Sequence, residues 1–360
     1  MVQMNDRENR LRAYRFQQPE WIPIASGLPF LDWAAQGYDE AGLERICLEH
    51  HILFPGYQPG TIKRNHQMVL ETRPDLVKGN RYRDGWGCVW ETMMTGMVGA
   101  VTEHALDDWS KLDGFRAPDP NSHDGMLPLD WAKLRAWREE ARKHDGFFAC
   151  GLPHGHTFLR LQDLRGYEKL ILDMADEEPR LDKLIALLTD FNSELIQRYV
   201  SLKPDAVYIP EDLGMQTSPM LSPRQFHRYI SPAYERLTRP VKQAGILVHE
   251  HSDGFILPLL DDIINFGGDI INLQDLVNGI DNIQKLAKGR IAIDLDIDRQ
   301  SVTVTGSPKE IDDHLKEIVM KLGSRQGGLS LCYQPWPPTP PQNLRAVFGA
   351  MEKYRSESVV

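Results

Sequence analysis

From about residue 147 onward, the chain alternates short apolar runs with longer helical patterns, and this regularity limits its fold more than any other feature. "FFACG", "AVYIP", "GILVH", "DIINL", "RIAID" and "LSLCY" (the first beginning at Phe147, the last at Leu329) are each too short for a helix and lack polar alternation. Between or after them lie helical patterns: Phe158 to Ala175, Pro179 to Leu202, Pro223 to Gln243, Ile256 to Phe266, Ile280 to Lys288, Pro308 to Leu322 and Pro341 to Tyr354. Apolar strands separated by helices form a parallel sheet buried on both faces. A GxGxxG turn, the mark of a dinucleotide-binding doubly wound sheet, does not follow the first strand. With "WIPIAS" (Trp21 to Ser26) added, about eight strands are expected, so the fold class is α/β, a (β/α)₈ TIM barrel. One domain is expected to span residues 1–360.

The N-terminal part is less regular. A helix is expected from Arg7 to Phe16, capped by Asn5 or Asp6 and stopped before Pro19. "WGCVWETM" and "MVGAVTEH" read as two strands joined by a tight "MTG" turn, a hairpin inserted into the barrel sequence. A net charge of −10 opposes nucleic-acid binding, which needs basic patches. No stretch approaches the roughly 18 apolar residues of a transmembrane helix, and the start lacks the apolar core of a signal peptide. Cys47, Cys88, Cys150 and Cys332 form no CxxC pair, so a disulfide framework is not expected. A cytoplasmic protein is the expectation.

In barrels of this kind, chemistry gathers at the C-terminal ends of the strands. "FFACG" leads to His154 and His156, and "AVYIP" to Glu211 and Asp212. "GILVH" leads into His249, His251 and Asp253; later ends carry Gln274, Asp275, Asp294, Asp296, Cys332 and Tyr333. His251, Asp253, Glu211, Asp212 and His249 are the candidate catalytic residues. Tyr208, Tyr333, Trp336 and Trp86 are candidate walls for a flat apolar substrate. His251, Asp253 and Cys332 offer imidazole, carboxylate and thiolate, a donor set that suits zinc with an open position. Each has a plainer reading too: Asp212 and Asp253 as helix caps, His251 as a general acid or hydrogen-bonded core residue, Cys332 as a small buried hydrophobe.

With these residues in place, the chain resembles the uroporphyrinogen decarboxylase superfamily, most strongly from about Leu164 onward. "LRGYEKLILDMADEEPRLDKLIALL" is similar to the family's helix pair, and "EDLGMQTSPMLSPRQFHRYISPAYERL" to its acidic strand end and following helix. "HEHSDGFILPLLDDIINFGGDIINLQ" stands where the family shows His-x-Cys-Gly before a helix, and "PPTPPQNLRAVFGAM" matches its C-terminus. The resemblance implies a (β/α)₈ barrel, commonly a homodimer. The decarboxylase branch carries an arginine-rich N-terminal stretch for a tetrapyrrole's carboxylates. The corresponding "IASGLPFLDWAAQG" has no arginine, which leaves those carboxylates without guanidinium partners.

The other branch, of cobalamin-dependent methyltransferases, is the better fit. Its zinc-using members place His-x-Cys and a later Cys at His251, Asp253 and Cys332, so here one thiolate has become a carboxylate. The members closest in character move methyl from aromatic methyl ethers to the cobalamin of a corrinoid protein. This implies displacement at the methyl carbon with a phenolate leaving, stabilised by a proton or a metal at His251 and Asp253. Glu211, Asp212 or His249 would position them. The segment Trp86–His104 and the loop Pro335–Pro341 are candidate docking surfaces for the corrinoid protein. A lyase acting on a smaller carboxylic acid is the alternative. It needs a cationic anchor, for which Arg160, Arg165 and Arg224 are available. A non-catalytic binding barrel is a third reading, which the crowded titratable rim opposes.

Overall fold

The computed structural model describes residues 4–25, 38–335 and 338–356. Its strands are β1 (Ile24–Ala25), β2 (Arg81–Arg83), β3 (Val89–Glu91), β4 (Ala100–Glu103), β5 (Ala149–Gly151), β6 (Ala206–Pro210), β7 (Leu247–Ser252), β8 (Ile270–Gln274), β9 (Ala292–Asp296) and β10 (Leu329–Cys332). Seven of them form one parallel sheet in the order β1-β10-β9-β8-β7-β6-β5. Sequential strands are neighbours, and the first strand lies beside the last, with Ile24 opposite Leu331. That winding is that of a (β/α)₈ barrel; of the roughly eight strands expected, seven are found in this sheet among the described residues.

The inserted segment differs from the expected hairpin. β2, β3 and β4 make a three-stranded antiparallel sheet. Glu91 pairs with Ala100, so residues 92–99 form an open connection rather than a tight "MTG" turn. The expected helix from Phe158 to Ala175 is two, Phe158–Arg165 and Tyr167–Ala175, because Gly166 sits between them at φ +81°. The first helix runs Asp6–Tyr14 with Asn5 as its cap, the Asn5 side chain accepting from Glu8 N–H. Among the described residues no helix is long and apolar enough to cross a membrane.

Strand parity sorts the barrel's side chains. Ala206, Leu247, Ile270 and Ala292 meet Leu11 and Tyr14 of the first helix in a small apolar cluster, which closes the barrel's N-terminal end. The residues alternating with them, such as Val207, Ile209, Val248, Ile271, Leu273, Ile293 and Leu295, belong to the large core under the helices. Above the apolar plug the inward positions turn polar. Tyr208, His249 and His251, then Asn272, Asp294, Ser330, Asp296 and Cys332, share the parity of the plug residues. β7 also runs three residues beyond the expected "GILVH", so His249 and His251 both belong to the strand.

Glu250 has the opposite parity and is buried on the helix side, where Oε1 has no hydrogen-bond partner among the described residues. Burial, and then the nearby Glu211 charge, push its carboxyl well above the usual value near 4.5. The folded chain therefore keeps this proton at pH values where the unfolded chain has released it. Stability from this group is fully present below pH 4.5 and declines as pH rises through the raised value. Glu250→Gln keeps the shape and removes the titration. Thermal melts across pH are expected to show a variant more stable than the parent at alkaline pH, with the gap closing in acid. A gap that did not change with pH would contradict this account.

Candidate active site at the barrel mouth

Three elements converge above the polar layer. His154 follows β5, Asp212 follows β6, and His251 lies near the end of β7. Asp212 Oδ1 is 3.2 Å from His154 Nε2 and 3.6 Å from His251 Nε2, and the two imidazole centroids are 5.7 Å apart. The same oxygen accepts the Asp253 backbone N–H at 3.1 Å. Among the described residues this is the one group of three His, Cys, Asp or Glu side chains whose ligand atoms all lie within 4.8 Å of one another. Each is partly exposed, so the group is open to the mouth.

The tautomer of His251 follows from its other neighbour. Asn272 Nδ2 donates to the Asp294 carbonyl at 2.6 Å, which turns Asn272 Oδ1 toward His251 Nδ1. Nδ1 must therefore carry a hydrogen, leaving Nε2 as the working nitrogen facing Asp212. Burial alone would depress this imidazole, but the Asp212 contact and the charges of Asp253 and Asp212 push it up to about 9. Burial likewise favours a neutral Asp212, yet the two imidazoles outweigh it and hold that carboxyl far below the usual range.

Backbone geometry pins the two strand-end loops together. A Cβ on Gly254, which sits at φ +82°, would lie 2.2 Å from the Gly214 carbonyl carbon. One on Gly214 would lie 2.5 Å from that of Gly254. Only glycine on both sides allows this approach, which sets the loops bearing Asp212 and Asp253 in register.

Beside His154 opens a cavity of about 780 Å³ between the barrel and the β2–β4 sheet. Trp90, Val98, Val101, Met126, Leu127 and Leu159 give it an apolar wall. Its two guanidinium groups are already paired: Arg73 with Asp75, and Arg160 with Asp84 at 2.6 Å and Asp163 at 3.4 Å. Burial pushes the Asp163 carboxyl up to about 7 despite Arg160.

Residues 160–354, more than half of the chain, match the family model described as Uroporphyrinogen decarboxylase (URO-D). The chain belongs to the uroporphyrinogen decarboxylase family. Among solved structures it is similar to a methyltransferase from Methanosarcina mazei, with 14% identity, 98% of this chain and 99% of that chain covered, and a TM-score of 0.65. At that identity the likeness is one of fold. A D-psicose 3-epimerase from Clostridium cellulolyticum H10 superposes at a TM-score of 0.39, with 10% identity over 64% of this chain and 86% of that one. No curated protein sequence matches the chain.

The positions singled out from sequence, including the expected metal donors Asp253 and Cys332, have separate surroundings. Asp253 is ion-paired to Arg299 at 2.8 Å, and Arg299 also reaches Asp296 at 3.0 Å. Cys332 lies on β10 opposite Asp296, and burial raises its thiol well above the ordinary value. Neither Asp253 nor Cys332 belongs to the group around Asp212. Glu211 is fully buried on the helix side, accepting the backbone N–H groups of Thr157 and Leu159 and the Tyr234 hydroxyl. It holds the start of the Phe158–Arg165 helix. His249 Nε2 meets Asp294 inside the barrel at 3.1 Å, with Tyr208 edge-on to its ring.

Two of the expected pocket walls sit in the core instead. Trp86 packs on Phe115 and Phe191, and Tyr333 on Phe348. Trp336 lies outside the described residues. His154, not among the residues expected to be catalytic, is the third member of the group; its place after "FFACG", at a strand end like the others, is the signal that points to it. Asn272 and Arg299 gave no local signal, since their partners are met only when the barrel closes.

Proposed function

We propose that the protein moves a methyl group from a small methylated donor, an aromatic methyl ether, to the cobalamin of a corrinoid protein. The observation that carries the reading is His251. Its Nε2 is fixed by Asn272, charged through Asp212, and placed one imidazole away from a largely apolar cavity. Family membership and the shared fold with a methyltransferase agree with it. The corrinoid supplies the cobalt nucleophile that takes up the methyl group. As the methyl–oxygen bond breaks, its electron pair stays on oxygen, and the chain must stabilise that charge. In this reading the proton held at His251 Nε2 does so, giving a neutral phenol.

The β2–β4 sheet forms the cavity's outer wall, and its β3–β4 connection exposes Met93, Met94, Met97 and Val98. Exposed methionines suit an adaptable protein surface, and we assign corrinoid-protein docking to this rim.

The lyase alternative is less well supported. Arg73 and Arg160 in the cavity are committed to carboxylates, and Arg165 is held by Asp173 at 2.9 Å. A substrate carboxylate would have to compete with these pairs. Incubation with methoxybenzenes and with aromatic carboxylic acids, with cob(I)alamin present, separates the readings. Phenol formation without CO₂ is expected; CO₂ release without a phenol would favour the lyase.

A further inference from the structure

We infer that His154, Asp212 and His251 form a binding site for one divalent cation of the zinc class. The site shares His251 with the positions where zinc-using relatives place their ligands, but takes His154 and Asp212 in place of Asp253 and Cys332. Two imidazoles and one carboxylate are a donor set that zinc accepts at catalytic sites with an open position. The spacing fits as well. Ligand bonds of 2.0–2.1 Å in a tetrahedron put neighbouring ligand atoms about 3.3 Å apart. Asp212 Oδ1 lies 3.2 Å from one Nε2 and 3.6 Å from the other.

The surroundings agree. Asn272 leaves the Nε2 lone pair of His251 free once its proton departs, the outer-shell arrangement that orients a metal-bound imidazole. The Asp253 N–H steadies Asp212. Asp253 itself is occupied by Arg299, and Cys332, half-buried on β10 opposite Asp296, lies outside the group. His154 also lines the cavity, so the cation's open position would face it. A cation bound there would polarise a donor's oxygen, in the place the proposed function gives to the His251 proton.

The inference deepens that reading but is tested without substrate. The full chain is stripped with a chelator and titrated with Zn²⁺ against a chromophoric zinc indicator, then with Co²⁺ by absorption. One equivalent of Zn²⁺ per chain is expected, with a Co²⁺ complex showing no thiolate-to-metal band. His154→Ala, whose side chain is half-exposed and dispensable for packing, is expected to weaken Zn²⁺ binding at least about 100-fold, and Asp212→Asn similarly. Asn272→Ala should weaken it about 10–100-fold, and Cys332→Ser should leave it unchanged. Circular dichroism establishes that each variant is folded.

The inference is overturned if the parent holds no Zn²⁺ more tightly than His154→Ala does. It is also overturned if Cys332→Ser abolishes binding or the Co²⁺ complex shows a thiolate band. Absence of binding would leave the proton reading of His251 standing, and binding without methyl transfer would leave the site standing.

Discussion

Replacing His251 with alanine is expected to lower methyl transfer by about 10²–10⁴-fold, the usual worth of a positioned acid, in a chain that still folds. The imidazole is partly exposed, and its firm partners are one amide and one carboxylate at the open end of the barrel. Its removal opens space at the mouth and leaves the apolar plug and outer core untouched. His251→Gln isolates the chemistry further, because a glutamine can restore a hydrogen bond to Asn272 without carrying a transferable proton. Both variants should lose turnover with melting temperatures close to the parent. Parent-like turnover in either would remove His251 from the mechanism. A collapse in melting temperature would make the residue structural.

The second large effect is on stability. Asp84 is buried and accepts four hydrogen bonds: from Trp86 N–H at 3.0 Å, Cys88 N–H at 2.9 Å, Trp90 Nε1–H at 2.9 Å and Arg160 Nη1 at 2.6 Å. It ties the β2–β3 turn to the Phe158–Arg165 helix and thereby fixes two walls of the cavity. Asp84→Ala would orphan three buried N–H donors. Arg160 would be left with Asp163 at 3.4 Å and the weak acceptor Met126 Sδ. Removing one partner of a buried ion pair costs about 3–5 kcal/mol, and urea unfolding should reveal a loss of that order. Removing an exposed pair such as Arg81–Glu103 should shift the midpoint by no more than about 1 kcal/mol. A loss for Asp84→Ala as small as that would show that water or Asp163 takes over its role.

The barrel was legible because strand and helix periods alternate so regularly after residue 147. Short apolar strands buried on both faces admit few other architectures. Its finer structure depended on facts that a linear pattern does not hold. The sequence pattern predicts two strands where the β2–β4 sheet has three, because Arg81–Arg83, exposed and charged, looks like a loop until it pairs with Val89–Glu91. Within "HEHSDG", parity sends His249 and His251 into the barrel and Glu250 out to the helices, and this much could be read once the strand's full length was known. What could not be read was partnership. Asp253 meets Arg299, His251 meets Asn272, and His154 meets Asp212 only through the closure of the barrel, across separations of tens of residues. Trp86 and Tyr333 show the same limit, since an aromatic side chain near a strand end can face the pocket or the core with the same local sequence.

The central claim is methyl transfer to cobalt, and its most direct measurement is spectroscopic. Purified protein is mixed without oxygen with photoreduced cob(I)alamin and, in separate cuvettes, methoxybenzenes, methanol, methylamines and methyl halides. The account predicts a protein-dependent loss of the cob(I) absorption with the methoxybenzenes, sharply reduced in His251→Ala. An unchanged spectrum with every donor, also when a corrinoid protein replaces the free cofactor, would contradict it.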